Sequence, residues 1–288
     1  MNSFLTSAFL HLIDLPIIDH IDLSLIINFP LSSLTSSVNL RRLDIYGLWH
    51  FGSHEKDRFY ETVQTEMMPK IREFHTSLFC HSTTAILLHA KRQDGGPAFN
   101  FMGLRRVSMH IARFQDEENV RYLLQNAKLV EKLHLSFEIG QLRHLVGLHE
   151  ILSAVARTLK VLDLTIPLSR NFTPRTLADL WGELEAMAGH NILEALSFFL
   201  DLRAADDAEC FIDSIIQEVE KVVKSGWSAL RKVSFKFSIM WKWRDSRESI
   251  AKLPEVLQFL PDKYLSISIL EFDAIYPLFY VVKCELNF

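Results

Sequence analysis

The chain has 288 residues, 49% of them hydrophobic and 23% charged, with a formal net charge of −4. That is enough apolar material for a large buried core, and the weak net charge gives no strong field drawing the chain to nucleic acid or a membrane surface. Three scattered cysteines, Cys80, Cys210 and Cys284, have neither disulfide-framework nor zinc-ligand spacing, so buried thiols in a reducing compartment are expected.

Met1 to Ile13 is apolar, but it has no basic leading region, is interrupted by His11 and is followed by no clean small-residue cleavage site. A signal peptide is therefore not expected, and no run reaches the ~18 uninterrupted apolar residues of a transmembrane helix. A cytoplasmic or nuclear protein follows. A weak strand pattern begins at Ile18, with Ile21 and Leu23. The phrase Leu40-Arg-Arg-Leu43-Asp-Ile45 then reads L-x-x-L-x-L. It recurs as Ile71-Arg-Glu-Phe74-His-Thr76, Leu104-Arg-Arg-Val107-Ser-Met109 and Val130-Glu-Lys-Leu133-His-Leu135. Further copies are Leu159-Lys-Val-Leu162-Asp-Leu164, Leu193-Glu-Ala-Leu196-Ser-Phe198 and Leu230-Arg-Lys-Val233-Ser-Phe235, with a weaker one at Tyr264, Ile267 and Ile269. Successive starts lie 22 to 37 residues apart, room for a short strand and a helical return.

Between the strands, apolar residues step by three and four. One such set is Leu142, Leu145, Leu148, Leu152 and Val155, and another is Leu177, Leu180, Leu184 and Met187. Phe211, Ile215, Val219 and Val222 form a third, and Ile250, Leu253, Leu257 and Leu260 a fourth. Thr173 before Pro174 reads as a helix start, Asp206 with Glu209 as a capping box, and Gly189 and Gly226 as helix-ending glycines. Gln93 to Pro97 reads as a loop inside a repeat. The C-terminal apolar segment, Tyr280 to Val282 and Leu286 to Phe288, reads as a last capping strand.

Each return helix brings the chain back beside the previous strand, so the strands run parallel. The middle strand positions are polar: Asp44, His75, Ser108, His134, Asp163, Ser197 and Ser234. One wet face argues against a doubly wound sheet, whose strands are covered on both sides. The expected fold is α/β, a single leucine-rich-repeat solenoid over residues 1–288 with about eight to nine irregular repeats. Its curved parallel sheet would be concave and its helices convex.

Phrases such as Val38-Asn-Leu-Arg-Arg-Leu-Asp-Ile-Tyr-Gly47 and Leu129-Val-Glu-Lys-Leu-His-Leu-Ser136, with irregular repeats and long return helices, resemble the leucine-rich-repeat region of fungal F-box-type proteins, especially the divergent sets of mushroom-forming fungi. The resemblance implies a substrate-recognition module of the ubiquitin-ligase kind that is truncated, or one that works without the ligase connection. It departs from the family at the start: Leu15-Pro16 is present, but Ile17 to Leu25 reads as a repeat strand, and the helices that would dock on the Skp adaptor are missing. The adaptor-binding role is therefore not carried over, and the chain is expected to begin within a fold.

On a solenoid the binding surface is the concave sheet. The expected partner-binding positions are Arg42, Asp44, Tyr46, His75, Arg106, His110, Lys132 and His134, joined outward by Glu73, Asp163, Phe199, Lys232, Ser234 and Lys236. Arginines beside histidines suit an acidic or phosphate-bearing partner, although exposed strand positions are polar in any soluble solenoid. His110 lies at another strand level from His75 and His134, and His50 and His54 straddle Gly52. With no H-E-x-x-H, G-x-S-x-G, P-loop or G-x-G-x-x-G, neither catalysis, metal nor cofactor is expected. In Met240 to Arg244 the Trp241 and Trp243 rings read as cover for the solenoid edge while Lys242 and Arg244 stay in water, with contact to a ligand or membrane headgroups as the alternative. The expected function is a monomeric, non-catalytic protein- or peptide-binding receptor or adaptor. The alternatives are a GTPase regulator and a receptor for a small anionic ligand on the basic, His-rich face.

Overall fold

The computed structural model describes residues 3–27, 29–48, 68–77, 80–92, 94–138, 147–167, 174–189, 191–201, 227–240, 268–272 and 279–287. They belong to two compact units, residues 1–131 and 132–288.

The first unit runs α1 (Ser3–Ile13), β1 (His20–Ser24), a 3-10 turn (Leu31–Ser36), β2 (Arg42–Tyr46), β3 (Glu73–Thr76), α2 (His81–His89), β4 (Arg106–Ile111) and α3 (Phe114–Asn126). Its strands lie in the order β1-β2-β3-β4, every neighbouring pair parallel. The repeat phrase explains the packing. Its first and fourth positions, Leu40 with Leu43, Ile71 with Phe74 and Leu104 with Val107, are closed off from solvent. Each fully buried leucine contributes about 2 kcal/mol of transfer free energy. The second position joins the rungs: the Arg41 amide donates to the Asp19 carbonyl at 2.8 Å, Arg72 to Arg41 at 2.7 Å, Arg105 to Arg72 at 2.7 Å and Glu131 to Arg105 at 2.9 Å. Helix α3 faces inward with Val120, Leu123 and Leu124. Asp116 caps its start by accepting the amides of Ala112 and Arg113, each at 3.0 Å.

The weak copy at Ile18 is a true strand, since β1 pairs with β2 and buries Ile21 and Leu23. Ahead of it, α1 was not foreseen. Its last residue Ile13 is buried, the Ile13 carbonyl accepts the Ser37 hydroxyl at 2.6 Å, and the Phe9 and Phe29 rings meet edge to face at 5.8 Å. The end of the helix is thereby anchored against the 3-10 turn.

The second unit runs β5 (Lys132–Phe137), α4 (Leu148–Ser153), β6 (Val161–Pro167), α5 (Pro174–Ala186), β7 (Ala195–Asp201), β8 (Lys232–Met240), β9 (Ser268–Phe272) and β10 (Phe279–Asn287). Strands β5 to β8 are parallel neighbours in chain order. Leu133, Leu162, Leu164 and Leu196 face the core, which α4 completes with Ile151 and Leu152 and α5 with Leu180, Trp181 and Leu184. Trp181 meets Phe198 edge to face at 5.1 Å. Gly189 has φ 78, the left-handed geometry expected of a helix-ending glycine.

The end of this sheet departs from the repeat. The copy at Tyr264 was expected to continue the parallel series, but β9 is the outermost strand and β10 lies between it and β8, antiparallel to both. Only six residues separate β9 from β10. So short a connection returns the chain antiparallel, whereas a parallel neighbour needs a long crossover. The expected capping strand is present as β10.

In both units the strands alternate between buried positions and positions open to solvent, as in β4 and β5. That pattern belongs to an α/β fold with parallel sheets covered on one face. No helix among the described residues is long and apolar enough to cross a membrane. The expected helices at Phe211 and Ile250, the capping box at Asp206, Gly226, the pair His50 and His54, and the cluster from Trp241 to Arg244 lie outside the described residues, as do Leu142, Leu145, Thr173 and Tyr264.

Candidate functional site

On the first unit the open sheet face is built in levels. Parallel register aligns Arg42 with Glu73 and Arg106 at one level, and Asp44 with His75 and Ser108 at the next. Asp44 was expected to face water, yet it is only 2% exposed. Its carboxylate accepts His20 Nε2 at 2.9 Å, Arg42 Nε at 3.0 Å and Arg42 Nη2 at 2.9 Å. Burial by itself would raise the Asp44 pKa, but the bonds from Arg42 and His20 outweigh it and hold the group below its ordinary value. The carboxylate is charged at neutral pH and ringed by donors.

The neighbouring charges are also matched. Arg42 Nη1 lies 3.7 Å from Glu73 and Arg106 Nη1 lies 3.4 Å from the same carboxylate. His75 Nε2 is shielded from solvent, 4.0 Å from Asp44 and 3.9 Å from Glu73, with no hydrogen bond. Burial pushes its pKa below the usual imidazole value, against the pull of Asp44. A neutral ring at these distances is packed beside the carboxylates and forms no ion pair with them. Tyr46 is half-buried, its phenol pushed up by burial and by the charges of Asp44 and Asp22. His110, also half-buried, lies two residues beyond Ser108 on β4 and so at a different level from His75, as its position in the phrase required.

On the second unit the same strand positions carry different chemistry. Lys132 meets Asp163 at 3.0 Å across β5 and β6, and His134 Nε2 bonds the Thr165 hydroxyl at 3.0 Å. Register places His134, Asp163, Ser197 and Ser234 in one row and Thr165, Phe199 and Lys236 in the next. These rows line an open hollow of about 290 Å³. The Lys236 ammonium lies over the Phe199 ring, 5.3 Å from its centre.

Of the residues expected from sequence, Arg42, Asp44 and His75 come together, and Arg106 joins them through Glu73. Lys132 and His134 each engage a residue of β6. The expectation missed His20, which lies on the weakest repeat copy, and underrated Glu73 and Asp163, whose roles emerge only from register. It also missed a contact away from the sheet face. Glu183 of α5 accepts the amides of Gly147 and His149, each at 2.9 Å, and bonds His149 Nδ1 at 2.5 Å. Burial would raise the Glu183 pKa, but these bonds hold it down. Partners 34 residues apart on successive helices leave no periodic signal.

Among the described residues no three His, Cys, Asp or Glu side chains converge to hold a metal ion. What the two faces offer is ordered, paired polar groups and one aromatic–hydroxyl hollow. Compared with protein-family models and with curated proteins, the sequence has no match.

Proposed function

We propose that the chain is a non-catalytic binding module of the leucine-rich-repeat kind, gripping a protein or peptide partner along the open faces of its parallel sheets. The supporting observation is the register itself. It lines up successive outward side chains at strand spacing, ~4.8 Å apart, on rigid elements whose opposite face is a closed apolar core. Such a surface needs little ordering on binding, which favours affinity. A substrate-recognition receptor or adaptor of the F-box leucine-rich-repeat type is the specific form proposed, with a ubiquitin-ligase substrate as the partner.

The test is affinity capture from the native cell with this chain as bait. It is followed by rebinding of each captured protein to purified wild-type chain and to a Phe199→Ala/Lys236→Ala variant. The proposal expects a partner that rebinds directly and loses roughly tenfold or more affinity to the variant, as truncation of an interface anchor does. Failure of every captured protein to rebind would count decisively against it.

A further inference from the structure

We propose that the strand-entry lip of the first unit carries an anion site, separate from the sheet faces, that takes a phosphate monoester. The ladder described above stacks Asp19, Arg41, Arg72, Arg105 and Glu131 on adjacent rungs. Arg41 and Arg72 are direct neighbours, so two like charges stand about one strand spacing apart, an arrangement that is unfavourable without compensation. Arg105 is compensated, with its guanidinium 3.2 Å from Glu131. Among the described residues no carboxylate pairs with Arg41, Arg72 or Lys70, although all three are exposed.

The backbone does not require arginine there. Glu131 and Glu194 hold the same position in later copies and make the same rung bond, Glu194 donating to the Lys160 carbonyl at 2.8 Å. The adjacent arginines therefore serve something other than the ladder. Between them is a hollow of about 550 Å³, walled by Asn39, Leu40 and Arg41 on one side and by Met68, Lys70 and Arg72 on the other. No acidic residue is among the described lining residues.

Three cations around one hollow match an oxyanion carrying two charges and several acceptor oxygens. A lone carboxylate would leave two of the three charges unanswered. Guanidinium forks engage phosphate oxygens in pairs, and the lysine adds a point charge. The volume exceeds that of a bare phosphate, which leaves room for the group to which it is esterified. The Asp19 carboxylate on the rung below closes the basic stretch at one end, and Glu131 closes it at the other.

The experiment titrates the full chain with inorganic phosphate, followed by phosphorus-31 line broadening at constant ionic strength. Saturable binding in the millimolar range or tighter is expected. An Arg41→Gln/Arg72→Gln variant should weaken it roughly tenfold or more. Arg231→Gln, the same phrase position in the second unit, should leave it unchanged. Arg41→Lys/Arg72→Lys keeps the charge without the forks and should fall between. Parallel titrations with phosphoserine and with a neutral phosphoserine peptide identify the source. A peptide bound more tightly than phosphate assigns a phosphorylated chain, and equal affinity assigns a free phosphate or small ester. Absence of saturable binding to folded wild-type protein would overturn the site, as would equal affinity in the glutamine variant.

Discussion

The open faces of the two units start from the same strand phrase and diverge at its outward positions. In the first unit the charges turn inward on a buried carboxylate, Asp44, with His20 and Arg42 bonded to it and His75 packed alongside. In the second, a solvent-facing pair, Lys132 with Asp163, borders a hollow of hydroxyls and one aromatic ring. The apolar positions carry the fold in both. The outward positions are free to differ, making one face a network of paired charges around a buried carboxylate and the other a more open surface.

The largest expected effects fall on what the units share. Leu43→Ala and Leu162→Ala, both at fully buried positions, should each destabilise by about 2–5 kcal/mol, read from urea midpoints. A small loss at either position would show that its unit is not packed as described. The next prediction separates the faces. Asp44→Asn should cost about 1–3 kcal/mol, because it removes the charge and one of the two acceptor oxygens that Arg42 and His20 share, discounted for the exposure of those two side chains. Asp163→Asn should cost less than about 1 kcal/mol, since Lys132 is half exposed and loses only a surface pair. Equal losses at the two aspartates would erase the contrast.

Glu183→Gln should cost about 1 kcal/mol by weakening the bonds to the start of α4, checked by thermal unfolding. The smallest effect is a pH slope. Asp44 and Glu183 have folded pKa values below their unfolded ones, so their stabilisation is complete above the unfolded values, 3.8 and 4.5, and is lost as acid protonates them. His75 is also lowered, and as a base it is buried neutral. Below about pH 6.5 the unfolded chain takes up a proton that the folded ring resists, so stability falls there too. His75→Gln should flatten the urea midpoint between neutral pH and pH 5.5 or so, with Asp44, Glu73, Arg42, Arg106 and His20 still facing the site. An unchanged slope would place His75 in water.

The strands were legible because one physical demand, an apolar residue at every second position, repeats in plain sight from Leu43 to Val233. Glu73 and Asp163 were legible as outward positions, but their pairing with Arg42 and Lys132 came only with the strand register. The burial of Asp44 did not, because position 5 of the phrase reads as outward and only the three-dimensional placement of His20 and Arg42 closes it over. Helix α1 was missed because its run of apolar residues was weighed only as a possible leader, although Ser3, Ser7 and His11 recur at a helical four-residue step. The antiparallel return of β10 depends on connection length, which the repeat pattern does not encode.

The central claim is that the sheet faces meet the partner. Its most direct test is photo-crosslinking of the captured partner from single reporters at Ser197 or Ser108, on the strand faces of the two units, and at Glu150, on helix α4. The account predicts crosslinks from a sheet-face reporter and none from Glu150. Crosslinks from Glu150 alone would contradict it.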